Sequence, residues 1–323
     1  MILGIECTAH TFGVGLVNRR KILANQKDMY KPEKGGIIPM DSAMHHREVA
    51  QDIYQMALKE AKIKENKIKA IAVSNAPGLA PCLHEGLKFA KKLAKRLGVK
   101  LIGVNHCIAH LEIGQSIGAK DPVLLYASGA NTQVIAFAEG KYRVFGETLD
   151  SGIGNFIDTF ARHCGIPFPG GPKIEEKAKK GKYIELPYSI KGMDVSFAGM
   201  QTKMKQLYDS GKKLEDLSFS MQENAFAMLV EVAERALAHT GKKELVFGGG
   251  VACNSRLQEM AKIMCQERES KYFCPAKSLL VDNGAMIAFA GELMMKDKKL
   301  LMEPEKLDIA PRQRTDDVLV TWR

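Results

Sequence analysis

One arrangement of residues occurs twice in this chain. From Ile2, "ILGIECTAHTFGVGLVNRRKILA" runs as an apolar stretch ending in small and polar residues, a second apolar stretch, a basic turn and a third. From Val123 to Gly146, "VLLYASGANTQVIAFAEGKYRVFG" repeats that order. Runs rich in β-branched residues and bounded by Gly and Asn read as strands, so each copy predicts three strands joined by tight turns. The echo continues downstream. "KAIAVSNAPGLAPCLHEGLKFAKKLAKRLGVKLIGVNHCIAH" reads strand, Gly/Pro turn, helix, strand. "KELVFGGGVACNSRLQEMAKIM" reads strand, Gly turn, helix, and "KYFCPAKSLLVDNGAMIAFAGELM" a short strand and another helix. Strands alternating with helices require parallel pairing, and the hairpins add antiparallel strands. The expected fold is α/β: two pseudo-symmetric lobes with mixed sheets facing a cleft. The expected boundaries are 1–121 and 122–323, with an insertion in the second lobe near 151–221. In the first lobe "DSAMHHREVAQDIYQMALKEA" predicts an amphipathic helix from Ser42 to Ala61, capped by Asp41 or Ser42, with Val49, Ile53, Met56 and Ala57 on one face.

The first half closes with "VNHCIAHLEIG", where His106 and His110 stand one helical turn apart. The spacing is that of the zinc-peptidase signature, but Cys107 occupies the place of its glutamate base. Such a pair serves equally as packing or capping histidines. The repeat supplies a third group, because "VDNGAMIA" holds the corresponding place in the second half. Pseudo-symmetry then sets both histidines opposite Asp282 across the cleft, and two imidazoles with one carboxylate make a three-point metal site with open positions. "YASGANTQ" joins two strands through small residues whose backbone N–H groups can approach a phosphate closely. Asn254 opens the helix after the second Gly turn, where it can cap. Glu175 lies in a Lys-rich helical run and reads as a surface charge.

With 47 Lys and Arg against 37 Asp and Glu, the formal net charge is +10, which suits a polyanionic partner such as nucleic acid as well as a solvated surface. The seven cysteines are scattered without a Cys-x-x-Cys pair, the usage of a reducing compartment. No apolar run is long enough to span a membrane and the start lacks a basic flank and cleavage site. These features predict a soluble cytoplasmic protein.

Taken together, "GIECTAHT", "HHREV", "APGLAPCL", "GVNHCIAHLEIG", "YASGANTQ", "YRVFGETLD", "GNFIDTFAR", "PFPGGPKIE", "LPYSIKGMD", "GGGVACNSRL", "DNGAMIA" and "PRQRTD" resemble the archaeal and eukaryotic KEOPS-type tRNA threonylcarbamoyltransferases. These are relatives of bacterial TsaD, once called O-sialoglycoprotein endopeptidases. The resemblance covers nearly the whole chain. It implies the actin, sugar-kinase and heat-shock-ATPase fold, in agreement with the two-lobe reading. It also implies transfer of a threonylcarbamoyl group from threonylcarbamoyl-AMP to N6 of the adenosine just 3′ of the anticodon. On this resemblance Tyr126 joins His106, His110 and Asp282 as the fourth ligand of one divalent metal, iron favoured by the phenolate and zinc also suited to the other three. The adenylate is implied to lie on Tyr126, Ala127, Ser128, Gly129 and Ala130, with Asp158, Gly171, Glu175 and Asn254. Three positions depart from the family pattern: Ala130 replaces a second loop glycine, Cys7 a glycine, and His84 an arginine. His45, His46, His163 and His239 are left as structural or surface histidines.

The donor is an activated mixed anhydride, so the expected work is alignment and stabilisation of developing charge, with the metal as Lewis acid and orienting post. No residue is assigned as general base; Glu6, ending the first strand, is the candidate, and serves equally as a structural hydrogen-bond partner. The rivals are a small-molecule kinase of the same fold, which has no use for a histidine pair; a metallopeptidase, which lacks its glutamate; and a non-catalytic scaffold, against which the intact metal residues argue. The family further implies tRNA as substrate, and a separate small protein kinase, a small dimerising subunit and a kinase-binding regulator as partners; the helix from Ser42 to Ala61 is the candidate docking surface, because its charged flanks leave an apolar face beyond what a core needs. Whether ATP hydrolysis accompanies the reaction is left open.

Overall fold

The computed structural model describes residues 1–32 and 36–323. In chain order the elements are β1 (Ile2–Glu6), β2 (Thr11–Asn18), β3 (Lys21–Met29), α1 (Pro39–Ala61), β4 (Ala70–Ala76), α2 (Ala80–Leu97), β5 (Lys100–Asn105) and α3 (His106–Glu112). Then follow β6 (Val123–Ala127), β7 (Thr132–Ala138), β8 (Lys141–Glu147), α4 (Ile153–His163), α5 (Gly171–Ala178), the short hairpin β9 (Ile190–Lys191) and β10 (Asp194–Val195), α6 (Ala198–Asp209) and α7 (Leu214–Thr240). The chain finishes its regular structure with β11 (Glu244–Gly248), α8 (Ser255–Glu267), β12 (Lys271–Phe273), α9 (Lys277–Leu280) and α10 (Gly284–Met294).

The repeat read from the sequence is a repeat of topology. One five-stranded sheet has the order β3-β2-β1-β4-β5 and the other β8-β7-β6-β11-β12, so each strand of the first has its counterpart in the second. In both, the leading strand pairs antiparallel with the next and parallel with the strand that follows the crossover, β1 with β4 and β6 with β11. The sheets are mixed, as the hairpins predicted.

The chain divides into two compact units. The first comprises 1–118, 138–142 and 281–323, and the second 119–137 and 143–280. The C-terminal stretch therefore groups with the first sheet, not with the second lobe as the sequence boundary at 122 had it. The expected end of the insertion, Met221, falls inside α7.

In the first unit, α1 and α2 cover one face of the sheet, and α10 lies against β1, β2 and β4. Helix α10, "GAMIAFAGELM", is buried along almost its whole surface, as a helix apolar all round must be. It reaches the sheet backbone to backbone. A methyl group on Gly4 would run into Ala288 N, and one on Gly15 into Ala285 N. Only glycines in the strands allow this approach, and it fixes the residues that precede α10. Helix α1 begins earlier than predicted, at Pro39, without a side-chain cap. Proline at the first position fixes φ and needs no hydrogen-bond acceptor, while Asp41 accepts from Tyr30 (3.3 Å) and Ser42 donates to Ala9 O (2.7 Å) instead of capping. Its buried stripe is Ala43, His46, Ala50, Ile53, Tyr54 and Ala57. Met56, expected on that face, points outward with Met40 and Met44. In the second unit the long helix α7 packs on β6 and β11 and is flanked by α5, α6 and α8.

Candidate metal centre and nucleotide site

Strand β5 delivers the chain directly into α3, and Asn105 turns it. The Asn105 side chain accepts from the backbone N–H groups of Cys107 and Ile108 at 3.1 and 3.3 Å, satisfying two donors of the first turn. This fixes His106 as the first helical residue, with His110 one turn on. Asp282 sits just before Asn283, whose side chain caps α10 through Met286 N at 2.9 Å. Lys27 Nζ of β3 donates to the Asp282 carbonyl at 3.1 Å.

The three side chains meet within the first unit. His106 Nε2 and His110 Nε2 each lie 3.3 Å from the same carboxylate oxygen, Asp282 Oδ1, and one ligand atom from each residue falls within 4.8 Å of the others. The prediction that they converge holds, but its reason does not. Asp282 comes from the turn that leads into α10, a helix packed on the histidines' own sheet, and not from the opposite lobe.

Burial sets the protonation of the group. Loss of solvent pushes His110 down, outweighing the Asp282 hydrogen bond that opposes it, which favours the neutral imidazole a metal requires. Burial works to raise the Asp282 carboxyl, but the charge and hydrogen bonds of His106 and His110 hold it well below the usual carboxylate range. Two imidazole nitrogens thus face an ionised oxygen at a separation that leaves room for a cation to replace the protons between them. This donor set of two nitrogens and one hard oxygen fits a divalent transition metal.

Glu6, the candidate base, is fully buried. One of its oxygens accepts from Thr8 N (2.8 Å) and Thr8 Oγ1 (2.5 Å), and the other faces His106 Nδ1 at 3.0 Å. Its partners are protein groups on both sides. Nothing in the sequence marked Glu6 as a neighbour of His106, since a hundred residues separate them and only the parallel order β1-β4-β5 brings the strand ends together.

The remaining predicted residues belong to the second unit. Tyr126 is a buried residue of β6, paired with Gly248 of β11 and Gln133 of β7. Beyond Ala127 the turn is closed by Ser128 N donating to Asn131 O (2.9 Å) and is held to the start of α4 by Gly154 N to Ser128 O (3.0 Å) and Asn155 N to Gly129 O (2.9 Å). Ala130 is exposed and does not take up a positive φ, so alanine in place of glycine carries no backbone strain. Asp158 on α4 accepts from Gly170 N at 2.7 Å, beside Gly171 at the start of α5. Glu175, one turn along α5, accepts from Ser255 N (2.9 Å) and Ser255 Oγ (2.6 Å). Asn254 caps α8 through Arg256 N (2.9 Å) and Leu257 N (3.3 Å) and donates to Gln222 (2.7 Å). The hydrogen bonds link loop to α4, α4 to α5 and α5 to α8, so Ser128, Gly129, Asp158, Gly171, Glu175 and Asn254 border one region. Gly249, with φ 92°, lets the turn after β11 pass close to Ala127 O.

Of the departures, Cys7 fills the space over Gly86 and accepts no solvent, its N–H donating to Ser74 Oγ at 2.9 Å. His84 is exposed on α2. His45 pairs with Asp28 and His163 with Asp209, both at 2.8 Å.

Residues 19–289 match the family model described as TsaD, tRNA N6-adenosine threonylcarbamoyltransferase. A Thermococcus sibiricus protein named tRNA N6-adenosine threonylcarbamoyltransferase is 52% identical over 322 residues, 99% of each chain. A Methanosarcina mazei protein named probable bifunctional tRNA threonylcarbamoyladenosine biosynthesis protein is 52% identical over 99% of this chain, which spans 59% of that protein. Among solved structures, Thermococcus kodakarensis HypF superposes with a TM-score of 0.67 at 15% identity, covering 93% of this chain and 49% of HypF. Component A of the Acidaminococcus fermentans (R)-2-hydroxyglutaryl-CoA dehydratase does so with a TM-score of 0.56 at 13% identity, covering 90% and 98%. At these identities the structures speak for the fold alone, which is that of the actin, sugar-kinase and heat-shock-ATPase class.

Proposed function

Because the chain belongs to the tRNA N6-adenosine threonylcarbamoyltransferase family, we propose that it moves the threonylcarbamoyl group of threonylcarbamoyl-AMP onto N6 of the adenosine 3′ to the tRNA anticodon. The observation that carries the assignment is the convergence of His106, His110 and Asp282 in a chain matched from end to end by enzymes of that name. N6 attacks the carbamoyl carbon, a C–N bond forms, the C–O bond to phosphate breaks, and AMP leaves as N6 gives up a proton. The anhydride is already activated, so the protein's part is to hold donor and amine in line and to meet charge with fixed dipoles.

In this reading His106, His110 and Asp282 hold one divalent metal, iron in preference to zinc, with Tyr126 as fourth ligand. Bound there, the metal supplies Lewis-acid polarisation and orientation of donor oxygens. The loop of Ala127, Ser128, Gly129 and Ala130 borders the phosphate, its small side chains allowing the backbone to approach closely. Glu175 accepts from the ribose with the oxygen that Ser255 does not use, and Asp158, Gly171 and Asn254 border the nucleoside. A kinase reading gains nothing from a buried histidine pair around a carboxylate.

The partners in this reading are tRNA, a separate small protein kinase, a small dimerising subunit and a regulator, assembled as a KEOPS-like complex in the cytoplasm. Seven free cysteines and, among the described residues, no helix long and apolar enough to cross a membrane are in keeping with that location. Exposed Met40, Met44 and Met56 on α1 offer a docking surface, beside Arg47, whose ion pair with Glu85 (2.7 Å) lies at the surface. Reversal of that charge, Arg47→Glu, is expected to reduce co-purification of the partner subunits while leaving metal and nucleotide binding unchanged.

The direct test supplies unmodified tRNA and threonylcarbamoyl-AMP, with and without partner subunits, and looks for the modified nucleoside by mass spectrometry. Product that requires this chain supports the assignment, and none under either condition overturns it. The chain alone is expected to turn over poorly. Its tRNA affinity is expected to fall steeply with salt, as phosphate contacts release counterions.

A further inference from the structure

We propose that Glu6 is a positioning residue for the metal centre: its carboxylate fixes the tautomer and ring orientation of His106, and Thr8 in turn fixes Glu6. The inference rests on the metal reading above and assigns a role to a residue that reading leaves without one.

A carboxylate sealed from solvent must be compensated by donors, and Glu6 has three. Thr8 N–H and Thr8 Oγ1–H both donate to Oε1, at 2.8 and 2.5 Å. Oε2 lies 3.0 Å from His106 Nδ1. With both Thr8 donors on Oε1, Oε2 is left as the acceptor for the ring nitrogen that faces it, which assigns the proton to Nδ1. With Nδ1 given to Glu6, Nε2 is the ring nitrogen left to bind a metal, and it is the atom that points at Asp282 Oδ1. Glu6 thereby selects the form of His106 able to ligate through Nε2, the arrangement by which carboxylates raise the basicity of metal-bound histidines.

The support extends one layer further. Leu79 N donates to Thr8 O at 2.8 Å, and Gly78 lies so close that a methyl group there would stand 2.6 Å from Thr8 O. Cys7 N, between the two residues, is held by Ser74 Oγ at 2.9 Å. The turn after β4 clamps Thr8, Thr8 clamps Glu6, and Glu6 orients His106. The glycine in "APGLAP" is explained by this clamp.

The substitution Glu6→Gln discriminates sharply. An amide has one accepting oxygen. With that oxygen toward Thr8, its NH2 faces His106 Nδ1 and favours the tautomer with Nε2 protonated, which cannot ligate. With it toward His106, the NH2 faces the Thr8 donors. Thr8→Val removes one donor to Glu6, together with the hydroxyl 3.3 Å from His106 Nδ1, and keeps the carboxylate, and Thr8→Ser keeps the hydroxyl.

The test titrates metal-free full-length protein with cobalt(II), reading affinity by chelator competition and geometry from the d–d bands. Histidine 15N shifts of zinc-loaded protein report which nitrogen of each ring is bound. The expectation for Glu6→Gln is about 10- to 100-fold weaker cobalt binding with altered bands, for Thr8→Val a smaller loss in the same direction, and for Thr8→Ser wild-type behaviour. The 15N pattern should show His106 bound through Nε2 and protonated at Nδ1. Unchanged cobalt affinity and spectrum in Glu6→Gln, even with lowered thermal stability, would overturn the proposal, as would ligation through His106 Nδ1. Should Glu6→Gln fail to fold, equal cobalt affinity in Thr8→Val and Thr8→Ser overturns it and a graded loss supports it. Wild-type protein that takes up neither metal refutes the metal reading itself, an outcome distinct from failure of Glu6 alone.

Discussion

The two sheets share one strand order and end in different chemistry. Where the first sheet's parallel strands finish, the polar groups are sealed: Glu6 and His110 are fully buried and His106 is 4% exposed. Their positions are set by packing, because α10 lies on strand glycines and β5 passes straight into α3. Around the second sheet's strand ends, Ser128, Gly129, Asp158, Glu175 and Asn254 are only half-buried and Ala130 is exposed, and what they present is largely backbone amides and helix starts. A buried cluster of ionisable groups is suited to a resident cation. Partly open amides and hydroxyl acceptors suit a phosphate and a nucleoside that must enter and leave at each turnover. The same frame occurs twice, and burial differs between its two copies.

The contrast breaks most visibly at the metal ligands. Purified protein is expected to carry close to one iron or zinc per chain, and His106→Ala, His110→Ala and Asp282→Ala to lose it. With several kcal/mol of transition-state stabilisation at stake, turnover in the tRNA assay should fall by at least about a hundredfold. Elemental analysis decides the point: metal content unchanged in all three variants means the site is elsewhere.

A second route attacks the packing that makes the first site rigid. Gly15→Ala places a methyl group against Ala285 N and Cα, main-chain atoms that cannot step aside as a side chain would. Overpacking of this kind costs about 1–3 kcal/mol, to be read in chemical denaturation. Since the strained contact begins three residues from Asp282, metal affinity should fall with stability. Full metal loading in a destabilised Gly15→Ala protein would show that Asp282 is held by something other than α10.

Much of this division was legible in the sequence. The repeated strand pattern yielded both sheets and their mixed pairing, because alternation and turn residues are local signals. The pair His106 and His110 was legible from helical spacing. Asp282 was found by the analogy of the two halves, yet its unit was misjudged: Gly4, Gly13 and Gly15 announce that something approaches β1 and β2 but not that α10, more than two hundred residues on, does so. Pro39 starting α1 was overlooked in favour of the polar Asp41 and Ser42, whose side chains are committed to Tyr30 and Ala9. Glu6 read from its place at a strand end as either a base or a structural hydrogen-bond partner, and the second is what the structure shows. Its engagement with Thr8 and His106 is a tertiary fact with no local signature.

A third measurement probes the first unit through pH. His46, buried on α1 beside Phe12 and His45, is pushed down to about 4, first by burial and then by the charge of His45. A depressed histidine is protonated in the unfolded chain from about pH 6.5 downward but not in the folded one. Stability is therefore complete above about pH 6.5 and declines as pH falls toward 4, by about 3 kcal/mol at most from this residue. His46→Phe should flatten that part of the wild-type curve. Parallel wild-type and variant curves between pH 6.5 and 4 would remove His46 from the account.

The mildest expected effect lies in the second unit. Glu175 spends one oxygen on Ser255 N and Oγ, which ties α5 to the start of α8. Glu175→Ala removes both that tie and the acceptor proposed for a ribose hydroxyl. Hydrogen bonds to a charged group contribute about 1.5–3 kcal/mol each, and partial exposure places this one at the low end, so AMP should bind roughly tenfold more weakly by calorimetry. Ser255→Ala separates the two roles, since it keeps the carboxylate and loses only the hydroxyl part of the tie. If the loss of affinity belongs to the ribose contact, Ser255→Ala binds AMP nearly as wild type does; if it belongs to the tie, the two variants weaken together. In neither should metal content change, because His106, His110 and Asp282 owe nothing to α5 or α8. Equal AMP affinity in Glu175→Ala and wild type would take Glu175 out of the nucleotide site, and a loss of metal in either variant would mean that α5 and α8 also support the metal ligands.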